Sequence, residues 1–225
     1  MIFFTNGPVK NFRVFSKLIS IGARVKLSTM DLNKQLSFIL ELDKLKSVYR
    51  KALIKTDNNR FENSAEHSWQ IALAAHVLVE HIEHDVDINR AVQMLLIHDI
   101  VEIDAGDTFA FAETNQLEQQ HAIELAAAHR IFGLLPEVQY QHFLSLWLEF
   151  EECTTRDAQF AKAVDRILPL IQNMANEGGS WVQHSVTKSQ VLARNKYVKE
   201  LSEKLWCYVT EQIDIATKNQ WLVDA

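Results

Sequence analysis

The chain has 225 residues, 48% of them hydrophobic and 23% charged, with a formal net charge of -6 at pH 7. That length and apolar share support one sizeable core, and the acidic balance leaves no basic footprint for a nucleic-acid polymer. No run approaches the roughly 18 uninterrupted apolar residues of a membrane span, and two cysteines, Cys153 and Cys207, are too few for a disulfide framework. Both are expected as buried small hydrophobes in a cytoplasmic protein.

Residues 1–30 read as an N-terminal extension to a single domain over 31–225. Lys10, Arg13, Lys17, Arg24 and Lys26 are interspersed with Phe3, Phe4, Phe12 and Phe15, and no acid precedes Asp31. Such a composition resembles an organelle-targeting leader; the simpler reading is an upstream extension, with Met30 opening the domain. Neither glycine nor proline falls between Ala23 and Ala105, which argues for long helices and an all-α class. Asp31 caps a first amphipathic helix whose apolar positions Leu36, Ile39, Leu40, Leu42, Leu45, Val48 and Tyr49 recur every three to four residues, before the polar stretch 55–59. A second helix opens at Asn63, with Glu66 completing a capping-box pattern and His67 in its first turn. A third runs from about 87 to 103 and stops near Gly106, where Gly106-Asp107-Thr108 begins a loop. Helices follow over 116–132, ending at Gly133, from Pro136 through Phe150, and over 156–174, bent by Pro169. After the break Glu177-Gly178-Gly179-Ser180, one long helix is expected from 188 to beyond Ile213. Its stripe Leu201, Leu205, Val209 and Ile213 suits either the domain's own core or a twin subunit.

The chemistry is concentrated at His98-Asp99, set in the apolar run Met94-Leu95-Leu96-Ile97-His98-Asp99-Ile100-Val101. Buried imidazole and carboxylate need compensation by a partner, a hydrogen bond or a metal. The other such pair, His84-Asp85, has His81, Glu83 and Asp87 around it and reads as solvated surface. His67 and Asp165 stand at the edges of other apolar helical patterns, and with His98 and Asp99 they supply two nitrogens and two or more oxygens. That set suits one divalent ion among Mn, Fe, Co, Ni, Zn and Mg. Glu102 lies one turn beyond the pair on the same helical face, and Asp107 follows where the helix gives way to loop. A cation that activates water, flanked by spare carboxylates, points to phosphoester hydrolysis. Each residue also has a plainer reading: His98-Asp99 as a buried hydrogen-bonded pair, Asp165 paired with Arg166 or Lys162, Glu102 and Asp107 as helix-end charges. Their conjunction favours the metal.

His67, then His98-Asp99, then a distant Asp165 resembles the HD-domain metal-dependent phosphohydrolases. The strings Arg60-Phe61-Glu62-Asn63-Ser64-Ala65-Glu66-His67-Ser68 and His98-Asp99-Ile100-Val101-Glu102, followed by Gly106-Asp107-Thr108, resemble the 5'-deoxynucleotidase-like branch. The likeness extends through Leu146-Trp147-Leu148-Glu149-Phe150-Glu151 and Ala163-Val164-Asp165-Arg166-Ile167-Leu168-Pro169, covering roughly residues 31–195. It implies a single helical HD-domain bundle, a metal on His67, His98, Asp99 and Asp165, and removal of the 5'-phosphate from nucleoside monophosphates. Glu102 would position or activate the water and Asp107 assist the leaving group. Arg60 becomes a phosphate or structural contact, and a homodimer is expected. The branch carries an Arg-Trp pair upstream of its first motif; here it is Arg50-Lys51, which keeps Arg50 as a substrate-binding residue and removes the aromatic wall against a ribose 2'-hydroxyl. Competing expectations are a phosphodiesterase or triphosphohydrolase, a metal- or nucleotide-binding sensor without turnover, and a purely structural His/Asp network.

Overall fold

The computed structural model describes residues 29–111 and 114–225, so the expectations for residues 1–28 fall outside the described residues. Helix α1 (Thr29–Leu42) leads through a 3-10 segment (Asp43–Ser47) into strands β1 (Tyr49–Ile54) and β2 (Arg60–Asn63). Helices α2 (Ser64–Leu78) and α3 (Ile88–Ile97) follow, then a 3-10 segment (His98–Val101) and the short α4 (Glu102–Ala105). The remainder comprises α5 (Thr114–Phe132), α6 (Glu137–Glu152), α7 (Arg156–Ala175), α8 (Gly179–Gln183), α9 (Lys188–Arg194), α10 (Lys196–Leu201) and α11 (Glu203–Lys218).

The helical class is as composition predicts, with one exception that matters for the site. The first helix does not continue to Tyr49: α1 stops at Leu42, and Tyr49–Ile54 pairs antiparallel with Arg60–Asn63. Val48 and Tyr49 are residues that fit a pleated surface better than a helix end. The intervening polar stretch closes the hairpin because Asn58 and Asn59, at φ 52° and 58°, adopt the left-handed conformation that asparagine tolerates. An irregularity in the ladder between Tyr49 and Leu53 falls beside Arg50, and such bulges re-aim side chains.

Helix α7 is the spine. Thr155 caps it by accepting from the Ala158 amide, and Phe160, Ala161, Val164, Ile167 and Leu170 are buried along it. It packs against α2, α3, α6, α10, α11 and β1, and it passes through Pro169 without interruption. Trp147, Phe132, Leu146, Met94 and Leu95 complete the fully buried interior. The expected C-terminal helix is three: α9 ends at Asn195, whose side-chain amide donates to the Val191 carbonyl, and α11 restarts at Ser202, whose hydroxyl accepts from the Leu205 amide. Leu201, Leu205, Val209 and Ile213 are all buried, so that stripe packs on the domain's own core. The cysteines depart from expectation: Cys153 is only partly buried, at a left-handed helix end with φ 53°, and Cys207 is exposed.

Candidate metal centre

Each candidate ligand is placed by a local device. Asn63 ends β2 and caps α2, its Oδ1 accepting from the Glu66 amide at 3.0 Å while Glu66 Oε1 accepts from the Asn63 amide at 2.7 Å. Outside this box the exposed Arg60 donates to both Glu66 oxygens, at 2.6 and 3.0 Å, and also pairs with Asp57. Arg60 thus braces the cap and is not among the residues lining the cleft described below. The cap sets His67 in the first turn of α2, with no exposure to solvent. His98 and Asp99 begin the 3-10 segment after α3, where residues three apart eclipse one another and Asp99 and Glu102 therefore share a face. The Trp147 indole donates to the His98 carbonyl at 3.2 Å and anchors that segment. Gly106 ends α4 at φ 72°, open to glycine at little cost, and turns the chain so that Asp107 lines the cleft. Asp165 comes from the middle of α7. His84 and Asp85 are exposed, as their neighbours suggest.

The two imidazoles are oriented from behind. His67 Nδ1 donates to Glu62 Oε2 at 3.1 Å, and His98 Nδ1 donates to the Leu95 carbonyl at 2.9 Å, which leaves a lone pair on each Nε2. These lone pairs converge on carboxylates: His67 Nε2 is 3.0 Å from Asp165 Oδ1, and His98 Nε2 is 2.9 Å from Asp99 Oδ1 and 3.5 Å from Asp165 Oδ1. His98 Nε2 is buried and makes no hydrogen bond despite those neighbours. Two imidazole Nε2 atoms facing carboxylate oxygens call for a positive charge between them, a proton in the metal-free protein, and a divalent ion would supply it in the proton's place. The residues fit such an ion. Asp165 pairs with neither Arg166, whose Nη1 donates to the Arg194 carbonyl, nor Lys162, which reaches Glu151.

The electrostatics agree. Burial opposes charge on His98, yet Asp99 and Asp165 outweigh it and hold the imidazole well above its ordinary value. Burial would likewise raise Asp99, but His98 and Arg50 bring its carboxyl down to about 2, and Asp165 is lowered, against its burial, by the two histidines beside it. Glu102 and Asp107 move the other way. Burial lifts the Glu102 carboxyl well above the usual range, helped by the charge on Asp99, and burial also raises Asp107. One pair of carboxylates is thus built to stay ionised and another to hold or exchange a proton. Arg50 is fixed among them, with Nη1 2.5 Å from Asp99 Oδ2 and 4.0 Å from Glu102 Oε1 and Nε 3.5 Å from Glu62 Oε2.

Sequence reasoning missed Glu62 and Ser64. Glu62, 1% exposed, orients His67 through one oxygen and accepts from Gln172 Nε2 at 2.7 Å through the other. Ser64 donates to Glu102 Oε2 at 2.5 Å. The only signal was position, five and three residues ahead of a candidate histidine ligand, Glu62 just before the expected helix start at Asn63 and Ser64 just inside it. Outer partners of ligating histidines tune affinity by about 10–100-fold, so Glu62→Gln should weaken metal binding by that factor while the chain stays folded. Titration calorimetry checks it; unchanged affinity would remove Glu62 from the orienting role.

Asp99, Glu102, Asp107 and Asp165 face a cleft of about 850 Å³, counting its open mouth, which Arg50, Lys51, Phe109 and Arg194 also line. A second convergence of ligand-type groups, His121, Glu124 and Glu151, lies outside that lining. There Lys162 Nζ, 3.3 Å from Glu151, already provides a cation.

A model of the HD domain matches residues 42–206. This chain belongs to the HD domain family. This HD-domain chain is 44% identical to a protein of Magnetospirillum magnetotacticum whose crystal structure is described as a predicted metal-dependent phosphohydrolase. The two superpose with a TM-score of 0.80 over 86% of this chain and 96% of that one. Over 137 residues it is 29% identical to the human 5'-deoxynucleotidase HDDC2, a match covering 61% of this chain and 65% of that relative. Over 140 residues it is 29% identical to a 5'-deoxynucleotidase of Enterobacter sp. (strain 638), covering 59% of this chain and 69% of that relative.

Proposed function

We propose that this HD-domain chain is a phosphomonoesterase that uses one divalent ion, Mn, Co, Fe, Ni, Zn or Mg, to remove the 5'-phosphate from nucleoside monophosphates. The observation that carries this is the buried convergence of His67, His98, Asp99 and Asp165 around an unsatisfied Nε2, with Glu102 and Asp107 beside them in one cleft. A divalent ion in that nest supplies charge neutralisation at the phosphoryl oxygens and acidifies water. The chain's own residues do the rest. Ser64 donates to Glu102 Oε2 and Arg50 stands 4.0 Å from Oε1, both favouring the carboxylate against its burial, so Oε1 takes the proton from water as it attacks phosphorus. The P–O bond to the ribose breaks, and Asp107, lifted by burial, suits a group that arrives protonated and gives its proton to the departing 5'-oxygen. Arg50 holds Asp99 from the second side and presents positive charge to the substrate phosphate. Arg60, committed to Glu66, we assign to the scaffold.

Lys51 lines the cleft where the deoxynucleotidase-like branch is expected to place an aromatic wall, so we propose that ribo- and deoxyribonucleotides are both accepted. The relatives named 5'-deoxynucleotidases support the nucleotide class. The test is phosphate release from a panel of both kinds of 5'-monophosphate by chelator-stripped protein resupplied with Mn, Co, Mg or Zn. Metal-dependent release of phosphate supports the reading; none with any metal, from protein that still binds one, overturns it.

We also infer a domain over 31–225 acting in the cytoplasm as a homodimer. No described helix is long and apolar enough to cross a membrane. Trp69, Leu73 and Val77, spaced four apart on α2, are 62%, 51% and 66% exposed, an apolar stripe that a twin subunit would cover. Light scattering should give about twice the 25.9 kDa chain mass, falling to one chain in Trp69→Glu/Leu73→Glu. A monomeric wild type would end the dimer proposal.

A further inference from the structure

The described arginines divide by what they touch: Arg156 and Arg166 make no carboxylate pair but are engaged by Gln159 and by the Arg194 carbonyl at 3.0 and 2.8 Å, which sets Arg194 apart by its weak engagement. Arg50, Arg60, Arg90 and Arg130 each have a carboxylate oxygen within 4.0 Å. Arg194 has none among the described residues, although it is partly buried and lines the cleft that holds Asp99, Glu102, Asp107 and Asp165. Its one hydrogen bond is long, from Nη1 to the Ala110 carbonyl at 3.4 Å, and its guanidinium carbon lies 5.9 Å from the centre of the Phe111 ring. Its surroundings do not favour its charge. Burial pulls the guanidinium below its ordinary value, and Arg166 and Arg50 repel it in the same direction, with Asp165 opposing. Its position is nevertheless fixed, since Arg166 donates to the Arg194 carbonyl at 2.8 Å while stacking 4.8 Å over the Tyr197 ring.

We propose that Arg194 is an anion-binding group of this cleft and takes the non-bridging oxygens of the substrate's phosphate through its planar fork. A guanidinium fork matches phosphate geometry with two parallel hydrogen bonds. A phosphate there completes the pairing that the chain withholds from Arg194 and stands between this cation and the acidic pole of the cleft. Arg166 acts as a positioning residue, holding the backbone from which the fork projects. This rests on the phosphohydrolase reading only in naming the anion as substrate phosphate, and the test separates the two.

Inorganic phosphate, the product of the proposed reaction, is titrated into the Mn-loaded full-length protein by calorimetry. Wild type should bind it, and Arg194→Gln should bind it at least about tenfold more weakly, the cost of a lost charge-assisted bond. Arg194→Lys, which keeps the charge and loses the fork, should fall between. Mn affinity should stay within about twofold in both variants, which a merely structural role at the end of α9 would not single out. Equal phosphate affinity in Arg194→Gln and wild type overturns the proposal, and so does a wild type that binds no phosphate. Because binding is read without turnover, a protein inert toward every nucleotide would end the nucleotidase reading and leave this result standing.

Discussion

Asp165→Ala is expected to abolish metal binding and hydrolysis together in a chain that remains folded. Asp165 Oδ1 is the atom on which the site closes, 3.0 Å from His67 Nε2 and 3.5 Å from His98 Nε2. Removing it leaves two imidazoles held from behind by Glu62 and the Leu95 carbonyl, with Asp99 as the only carboxylate still against an imidazole Nε2. Outer partners of ligating histidines already cost about 10–100-fold in affinity, so a direct ligand should cost more than about 100-fold. The several kcal/mol of charge stabilisation that an ion contributes corresponds to a rate loss of about a thousandfold or more. Asp165 is a cleaner target than Asp99, because Asp99→Ala also strips Arg50 of its nearest carboxylate and leaves that cation poorly compensated in a buried place. Metal content by elemental analysis, phosphate release and far-ultraviolet circular dichroism together decide it. Activity in a folded, metal-free Asp165→Ala or Asp99→Ala protein would sink the mechanism.

The second large effect separates binding from chemistry. Glu102→Gln keeps the shape of the side chain and an oxygen that can still accept from Ser64, so metal affinity should change by no more than a few-fold. A neutral amide cannot take a proton from water, and loss of a positioned general base costs about 10²–10⁴ in turnover. Metal-loaded Glu102→Gln with wild-type kcat would mean that the proton goes elsewhere.

The helices that carry the site were legible because their ends are written in side chains. Asn63 with Glu66 is a local cap readable without any tertiary information, whereas the Thr155 cap ahead of Ala158 shows in the structure. His67, His98, Asp99 and Asp165 were legible as polar residues that apolar surroundings would not tolerate alone, and the chain folds them together. The hairpin was not, because Tyr49 continues the apolar rhythm of α1 in phase, and only the turn at Asn58 and Asn59 breaks it. With the hairpin unseen, the placement of Arg50 and Glu62 was unseen as well. The same limit hid the breaks at Asn195 and Ser202: Leu201, Leu205, Val209 and Ile213 keep helical spacing, and a pattern of period 3.6 carries no mark where one helix stops and the next resumes in register. Arg194 left no signal, since its meaning lies in the carboxylate it lacks.

His67 and Asp165 lie 98 residues apart in the chain yet meet at one atom pair. An ion gripping both closes a ring that runs from the first turn of α2 to the middle of α7, a reversible counterpart of a covalent cross-link between distant segments. Because the unfolded chain offers no such ring, an ion held there would favour the folded form, by up to about 2.7 kcal/mol when its free concentration is a hundred times its dissociation constant. The supply of metal would then bear on how long each copy of this chain stays folded, in addition to how fast it works.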